Sequence, residues 1–281
     1  MLKATQLIAD NLIALFSDEP PLRRTVKVMA RTVLITGATG TLGHHVVPEA
    51  IAAGHEVRAL SRHDRVGYTG VHWHRGDLQS GAGMDDALSG ADAVVHCATQ
   101  LVGDKDVAAA ENLVAAARRA GVGHLIYISI VGVDTIPLGY YKTKLRVEQV
   151  LESSGLGHTV LRATQFHELV ASTFRAQRYS PVLWALRGAS FQPIDTRDVA
   201  TRLVELIDAE PAGRAPDIGG PAVHEHAELG RMYLAAQRSR RKVVRFTLPG
   251  KTVAGYTSGA NLVPDNPVGS ITFQDFLASA A

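Results

Sequence analysis

The sequence predicts an α/β fold, a doubly wound parallel sheet with a small irregular C-terminal lobe. From Thr32 onward, short β-branched runs alternate with alanine-rich stretches of helical period, the pattern of βα units around a parallel sheet. A glycine-rich turn, Gly37 to Gly43, falls between the first such run and the first helix. The chain has 281 residues, 46% of them hydrophobic and 20% charged, enough apolar material to build one large domain around its own core.

The elements follow in order. Val33 to Thr36 reads as a buried strand, and the helix after Gly43 runs through Val46, Val47, Ala50 and Ile51 until Gly54 ends it. His55 to Leu60 is the second strand, Val71 to His74 a short third, and Met84 to Leu88 a helix before Gly90. Ala93 to His96 is the fourth strand. Asp104 to Ala120 is a strong helix stopped by Gly121, a residue that accepts the left-handed conformation at helix ends. Leu125 to Ile128, a helix from about Tyr141 to Leu151, and Thr159 to Leu161 complete the regular part, with right-handed crossovers expected. Farther on, Asp195 to Ile207 looks helical, and Phe166 to Ile194 is expected to form a lid or small lobe. The domain therefore covers residues 29–281, with a substrate lobe built from about 165–194 and the C-terminal region. The Gly/Pro-rich stretches at Pro211 to Pro221 and Asn261 to Gly269 are too short for interdomain linkers.

Residues 1–28 stand apart. Leu2, Ile8, Leu12, Leu15 and Phe16 recur at roughly helical spacing before Pro20-Pro21, which predicts a short amphipathic helix and linker. Asp10 and Asn11 interrupt the apolar stretch, so it does not read as a signal peptide. Met29 directly precedes the first strand, and we expect translation to start there; the alternative is a genuine appended helix that packs on the domain or on a second subunit.

Charge and composition exclude several classes. A formal charge of +2 offers no electrostatic hold on nucleic acid or an anionic membrane. No apolar run reaches the length of a membrane span. Cys97 is the single cysteine, which rules out an internal disulfide framework and fits a reducing, cytoplasmic setting. His72-x-His74 and His224-x-His226 lack a third ligand at metal-site spacing, so no metal is expected. Arg238 to Lys242 reads as the solvated end of a helix. A small-molecule substrate is the expected partner, and the chain is expected to be a monomer or homodimer.

The turn Thr36-Gly37-Ala38-Thr39-Gly40-Thr41-Leu42-Gly43 lies between strand and helix, where glycines permit a tight turn, close backbone approach to a pyrophosphate, and close helix packing. Free amides at the helix start face the anion. The spacing is G-x-x-G-x-x-G, and its context predicts a Rossmann-type dinucleotide site formed by Gly37, Thr39, Gly40, Thr41, Leu42 and Gly43. The second strand ends at Ser61-Arg62, where a carboxylate would select the NAD ribose and an arginine would accommodate the NADP phosphate. Arg62 points to NADP, with Ser61 a candidate hydroxyl contact; Asp64 close behind leaves NAD open.

With these motifs in place, the chain from Met29 nearly to its end resembles the short-chain dehydrogenase/reductase superfamily, in particular its atypical NmrA-like branch. The resemblance rests on Thr36 to Gly43, Gly76-Asp77-Leu78, Val95-His96-Cys97-Ala98-Thr99 and Tyr140-x-x-x-Lys144. It implies that Asp77 and Leu78 touch the adenine, and that Cys97, Ala98 and Thr99 lie along the ribose and pyrophosphate. A Tyr and a Lys four apart on a helix face the same side. There the ammonium of Lys144 favours release of the phenol proton and hydrogen-bonds the nicotinamide ribose, letting Tyr140 act as a general acid toward a carbonyl. Ser129, at the tip of the fifth strand, can orient the substrate oxygen. Whether Tyr140 or Tyr141 points inward stays open at this level. The leading expectation is an NADP-preferring oxidoreductase that passes hydride to a small carbonyl or quinone-like acceptor. Its alternatives are a non-catalytic NAD(P)-binding redox sensor and, more weakly, a sugar-nucleotide epimerase or dehydratase.

Overall fold

The computed structural model describes residues 30–65, 69–100 and 104–279. The N-terminal helix expected within residues 1–28 lies outside them. Strands β1 (Thr32–Thr36), β2 (Glu56–Ser61), β3 (Val71–Arg75), β4 (Ala93–His96), β5 (His124–Ile130), β6 (His158–Ala163) and the two-residue β9 (Gly213–Arg214) form one sheet in the order β3-β2-β1-β4-β5-β6-β9. Every pairing in it is parallel.

Alternation along the strands builds a core on each face. In β1, Val33 and Ile35 join one cluster while Leu34 joins the other, as a side-chain period of two requires. The first cluster is covered by α1 (Gly43–Ala52) and α6 (Thr196–Asp208) through Val46, Val47, Val199 and Leu203. The second is covered by α2 (Met84–Leu88), α3 (Lys105–Ala120) and α4 (Gly139–Glu152) through Leu88, Leu113 and Leu151. Burial of each such side chain contributes about 1.5–3 kcal/mol. Local signals set the helix ends: Gly121 caps α3 at φ 71°, and the Asp195 side chain accepts from the Arg197 amide to start α6.

Strand order turns back between β1 and β4, which makes their tips the crevice where an open α/β sheet takes its ligand. The register brings those tips level: Thr36 sits opposite both Leu60 and His96, and Ser129 opposite Arg162. The residues immediately beyond, including Gly37, Arg62 and Cys97, therefore leave the sheet along one edge.

The later chain adds α5 (His167–Arg175), β7 (Val182–Leu186), β8 (Ser190–Phe191), β10 (His224–Glu225), α7 (His226–Ala236), β11 (Lys242–Phe246), α8 (Lys251–Thr257) and α9 (Phe273–Ser279). Strands β7 and β11 pair in parallel and β8 with β10 antiparallel. A third, smaller apolar cluster holds this part together, with Phe174, Leu183, Leu229 and Phe273 buried in it. The basic run from Arg238 to Lys242 follows α7 and leads into β11. It connects two elements instead of ending a helix.

Candidate functional site

A cavity of about 690 Å³ opens along the sheet edge. Gly37, Thr39, Gly40, Thr41, Leu42, Arg62, Asp77, Leu78, Cys97, Ala98, Thr99, Ser129, Tyr140 and Lys144 all line it. Gly43 does not: a β-carbon there would overlap the Gly37 carbonyl, so its part is to let α1 close on the turn.

The three glycines divide their work as the geometry demands. Gly37 is at φ +70°, and a β-carbon on it would lie 2.6 Å from the Ala98 amide nitrogen. The Gly40 amide donates to the Gly37 carbonyl at 2.8 Å, closing the turn. Leu42 begins α1 without a side-chain cap, leaving the helix N-terminus to an anion. Beneath the turn, Thr36 Oγ1 and His96 Nδ1 are 2.7 Å apart, and the Ala98 amide donates to the same hydroxyl. Burial drives the His96 pKa down to about 3, so this ring serves as a neutral tie between β1 and β4.

At the adenine end, Arg62, His63 and Arg65 line the cavity while the Asp64 carboxylate lies 4.0 Å from Arg75. Positive charge thus gathers where a ribose phosphate would sit, and the nearby carboxylate has a cationic partner. The Ser61 hydroxyl donates to the His63 carbonyl and accepts from the His63 amide. It braces the bend, and its proton is committed there instead of to a phosphate. The Asp77 side chain accepts from the Gln79 amide at 3.0 Å, shaping the turn that carries Leu78.

At the other end the helix face of α4 settles the choice between adjacent tyrosines. Tyr140 lines the cavity, whereas Tyr141 is buried at 2% exposure and bonds to Gln165 and Tyr256. Lys144 is also buried, its Nζ donating to the Ile128 carbonyl at 3.1 Å and lying 4.8 Å from the Tyr127 ring centre and 5.8 Å from that of Tyr140. Burial disfavours its charge, but the Tyr127 and Tyr140 hydroxyls and the more distant Asp106 outweigh this and hold its pKa above the ordinary lysine value. An ammonium has three donors, and the Ile128 carbonyl takes one of them. Ser129 Oγ is buried with no hydrogen-bond partner among the described residues, a state that a bound polar group would relieve.

Sequence reasoning missed two carboxylates on the cavity wall. Asp106, in the first turn of α3, accepts from Thr99 Oγ1 and from the Gln100 amide, each at 2.6 Å. Thr99 Oγ1 also lies 3.3 Å from the Tyr140 hydroxyl; its own proton is given to Asp106, so Tyr140 is the donor in that pair. Glu168, in α5, accepts from Thr196 at one oxygen, while Oε2 is buried and unpartnered among the described residues. Burial, with Asp195 adding to it, raises its pKa. No local spacing marks either residue. Cys97 is half-buried with its pKa pushed up to about 12 by burial, so it contributes shape and no thiolate.

The connection from β5 to α4, unreadable in sequence because of Pro137, is pinned from β6. Buried Arg162 donates to both oxygens of Glu148 in α4, at 2.9 and 2.6 Å, and to Asp134 in the connection at 2.8 Å. This clamp fixes the start of α4 and with it the Tyr140 side chain.

A cradle that excludes β-carbons, an uncapped helix start, a cationic adenine end and an unfilled serine hydroxyl fit a nicotinamide dinucleotide. Together, fold and site define an NAD(P)-binding oxidoreductase. The chain belongs to the NAD(P)H-binding family, whose model matches residues 37–210. It is 33% identical over 211 residues to the (4-alkanoyl-5-oxo-2,5-dihydrofuran-3-yl)methyl phosphate reductase of Streptomyces griseus, covering 71% of this chain and 73% of that one. Identity to quinone oxidoreductase 2 of Escherichia coli is 24% over 257 residues, 88% of each chain. An NADPH-dependent quinone oxidoreductase from Escherichia coli, solved with NADPH, superposes with a TM-score of 0.77 at 20% identity, covering 88% of this chain and 99% of that structure. Among the described residues no helix is long and apolar enough to cross a membrane.

Proposed function

We propose that this oxidoreductase prefers NADPH and reduces a small conjugated carbonyl compound, a quinone or an enone, with Tyr140 as the general acid. The observation that carries the reading is the pairing of Tyr140 and Lys144 on the wall of the cavity that begins at the glycine turn. Both relatives fit it: one is named for quinones, the other for an oxo-dihydrofuran whose ring double bond is conjugated to carbonyl groups. When bound, the reduced nicotinamide supplies the hydride.

The protein's residues do the rest. The amides of Thr41 and Leu42 and the start of α1 hold the pyrophosphate, and Arg62 with His63 and Arg65 favours the additional phosphate of NADP. Lys144 holds the ribose hydroxyls and keeps positive charge beside the Tyr140 ring. Ser129 donates to the acceptor oxygen, and Tyr140 transfers its proton to that oxygen as negative charge develops there. Thr99, fixed by Asp106, accepts from the Tyr140 hydroxyl and holds its oxygen at the cavity wall; the long 3.3 Å contact is exchanged for the acceptor oxygen when the acceptor binds. Of the expected lobe, Gln165, Phe166, Glu168, Leu169, Ser172 and Arg175 form the acceptor's wall, while residues beyond Arg175 and the C-terminal region back that wall by packing on the other face of α5; the active unit is a monomer or homodimer.

The test is NADPH oxidation over a panel of quinones, enones and aldehydes, with Tyr140→Phe alongside. We expect turnover in the intact protein and a loss of about 10²–10⁴-fold in the variant, the usual contribution of a positioned acid, with NADPH affinity retained. Equal turnover in the variant sinks the role of Tyr140. Tight NADPH binding without any turnover would instead favour a redox sensor.

A further inference from the structure

The cofactor's anionic groups already have holders in this site: the start of α1 for the pyrophosphate, and Arg62, His63 and Arg65 for the ribose phosphate. A further cation lines the cavity from α5. The side chain of Arg175, at the end of α5, makes no hydrogen bond or ion pair with any described residue. Arg62 and Arg65 on the same cavity are likewise without a carboxylate among the described residues, but they sit at the ribose-phosphate end, whereas Arg197, Arg214 and Arg245 are each engaged by one.

The placement of Arg175 is ordered. Glu168, Ser172 and Arg175 line the cavity at i, i+4 and i+7, the spacing of a single helix stripe. Leu169 flanks the stripe, 43% exposed and also on the cavity wall. Three residues after β6, whose Arg162 is in register with Ser129, α5 begins. Thr164, Gln165 and Phe166 of that connection line the same cavity as Ser129 and Tyr140, so the start of α5 is the end tied to the proposed reacting centre. Seven residues of helix separate Glu168 from Arg175, a rise of about 10 Å. The wall therefore offers a polar inner end, an apolar middle at Leu169 and an unneutralised guanidinium at its outer end.

We propose that Arg175 binds an anionic group, a carboxylate or a phosphate monoester, carried by the acceptor on the side remote from its reactive carbonyl, beyond a spacer that runs along the stripe of roughly 10 Å from Glu168 to Arg175. The physiological acceptor is then an amphiphile: a conjugated carbonyl head, a short apolar spacer that covers Leu169, and a charged end. Guanidinium is suited to this because its planar fork meets two oxygens of either anion at once. The proposal deepens the reading of the site as a carbonyl or enone reductase and rests on it.

The experiment uses the full chain and three matched naphthoquinones, bearing a carboxyalkyl chain, its methyl ester and a phosphate ester of the same length. At saturating NADPH we expect kcat/KM to favour the two anions over the ester by about tenfold or more, a typical margin for a charge-assisted pair. Arg175→Ala should erase that margin while changing the ester by less than about threefold, and Arg175→Lys should keep part of it. The arm with the larger margin decides between carboxylate and phosphate. Equal handling of acid and ester by the unmodified protein overturns the proposal. So does an Arg175→Ala variant whose NADPH affinity falls in place of the margin, since that assigns the guanidinium to the cofactor. Calorimetric binding of the same three compounds to the NADP-loaded protein reads the preference without turnover; failure of reduction with the preference intact counts against the proposed reaction alone.

Discussion

Arg62 stands one residue past β2, exposed and at the cavity edge, with the local carboxylate Asp64 turned to Arg75. Replacing it with alanine removes a charge-assisted fork from the ribose phosphate and nothing from a ribose hydroxyl. Arg62→Ala is expected to weaken NADPH binding about 10–100-fold and to leave NADH within about threefold, measured by fluorescence titration; equal losses for both would dissociate Arg62 from cofactor choice. Glu168 makes a different kind of case. An unpartnered buried carboxyl oxygen is costly to the fold, so Glu168→Gln should leave the melting temperature at pH 8 unchanged or higher. A lower melting temperature would make Glu168 a structural residue. Arg62 was legible because its place after the second strand is set by the motif spacing. Glu168 was not, because its neighbour Thr196 is 28 positions away and only the fold brings the two together.

At the scale of elements, the regular half of the sheet was readable because β1 to β6 are long enough to show hydrophobic runs and their helices carry clear stops at Gly54 and Gly121. Strands β8, β9 and β10 have two residues each, too few for alternation to register. The edge strand β9 thus hid inside a stretch that reads as a Gly/Pro-rich loop. The α4 element is the one whose placement the chemistry most needs, and the Arg162 clamp supplies it. Arg162 and Glu148 side chains are 5% and 3% exposed, so deleting one partner strands a buried charge, at a cost of about 3–5 kcal/mol. Arg162→Ala should therefore show a urea midpoint well below that of the native chain, whereas Arg162→Met paired with Glu148→Leu should recover much of the loss. If the single variant unfolds with an unchanged midpoint, the clamp does not hold the element.

For the molecule as a whole, several histidines are folded as neutral groups. Burial lowers the pKa of His96 to about 3 and those of His124 and His226 to about 4. His124 bonds to Thr159, and His226 accepts from the Leu186 amide between Phe174 and Phe191. Their folded values lie below the ordinary value near 6.5, so on acidification the unfolded chain takes protons first. Stability from these groups is complete above about pH 6.5 and is lost as the pH falls from there toward 4. Melting temperature against pH should be level near neutrality and drop steeply across that window; a level profile down to pH 4 would contradict the burial of these rings. The lobe containing His226 was the least legible part of the chain, since its core joins α5, β7, α7 and α9 across more than 100 residues and no short window displays it. The level finish of β1, β2 and β4, with Thr36 opposite Leu60 and His96, has an evolutionary corollary. One residue inserted within any of these strands would push its end forward by about 3.3 Å and invert its two faces, spoiling the ligand groove and both cores together. Length variation among related chains should consequently be confined to the connections.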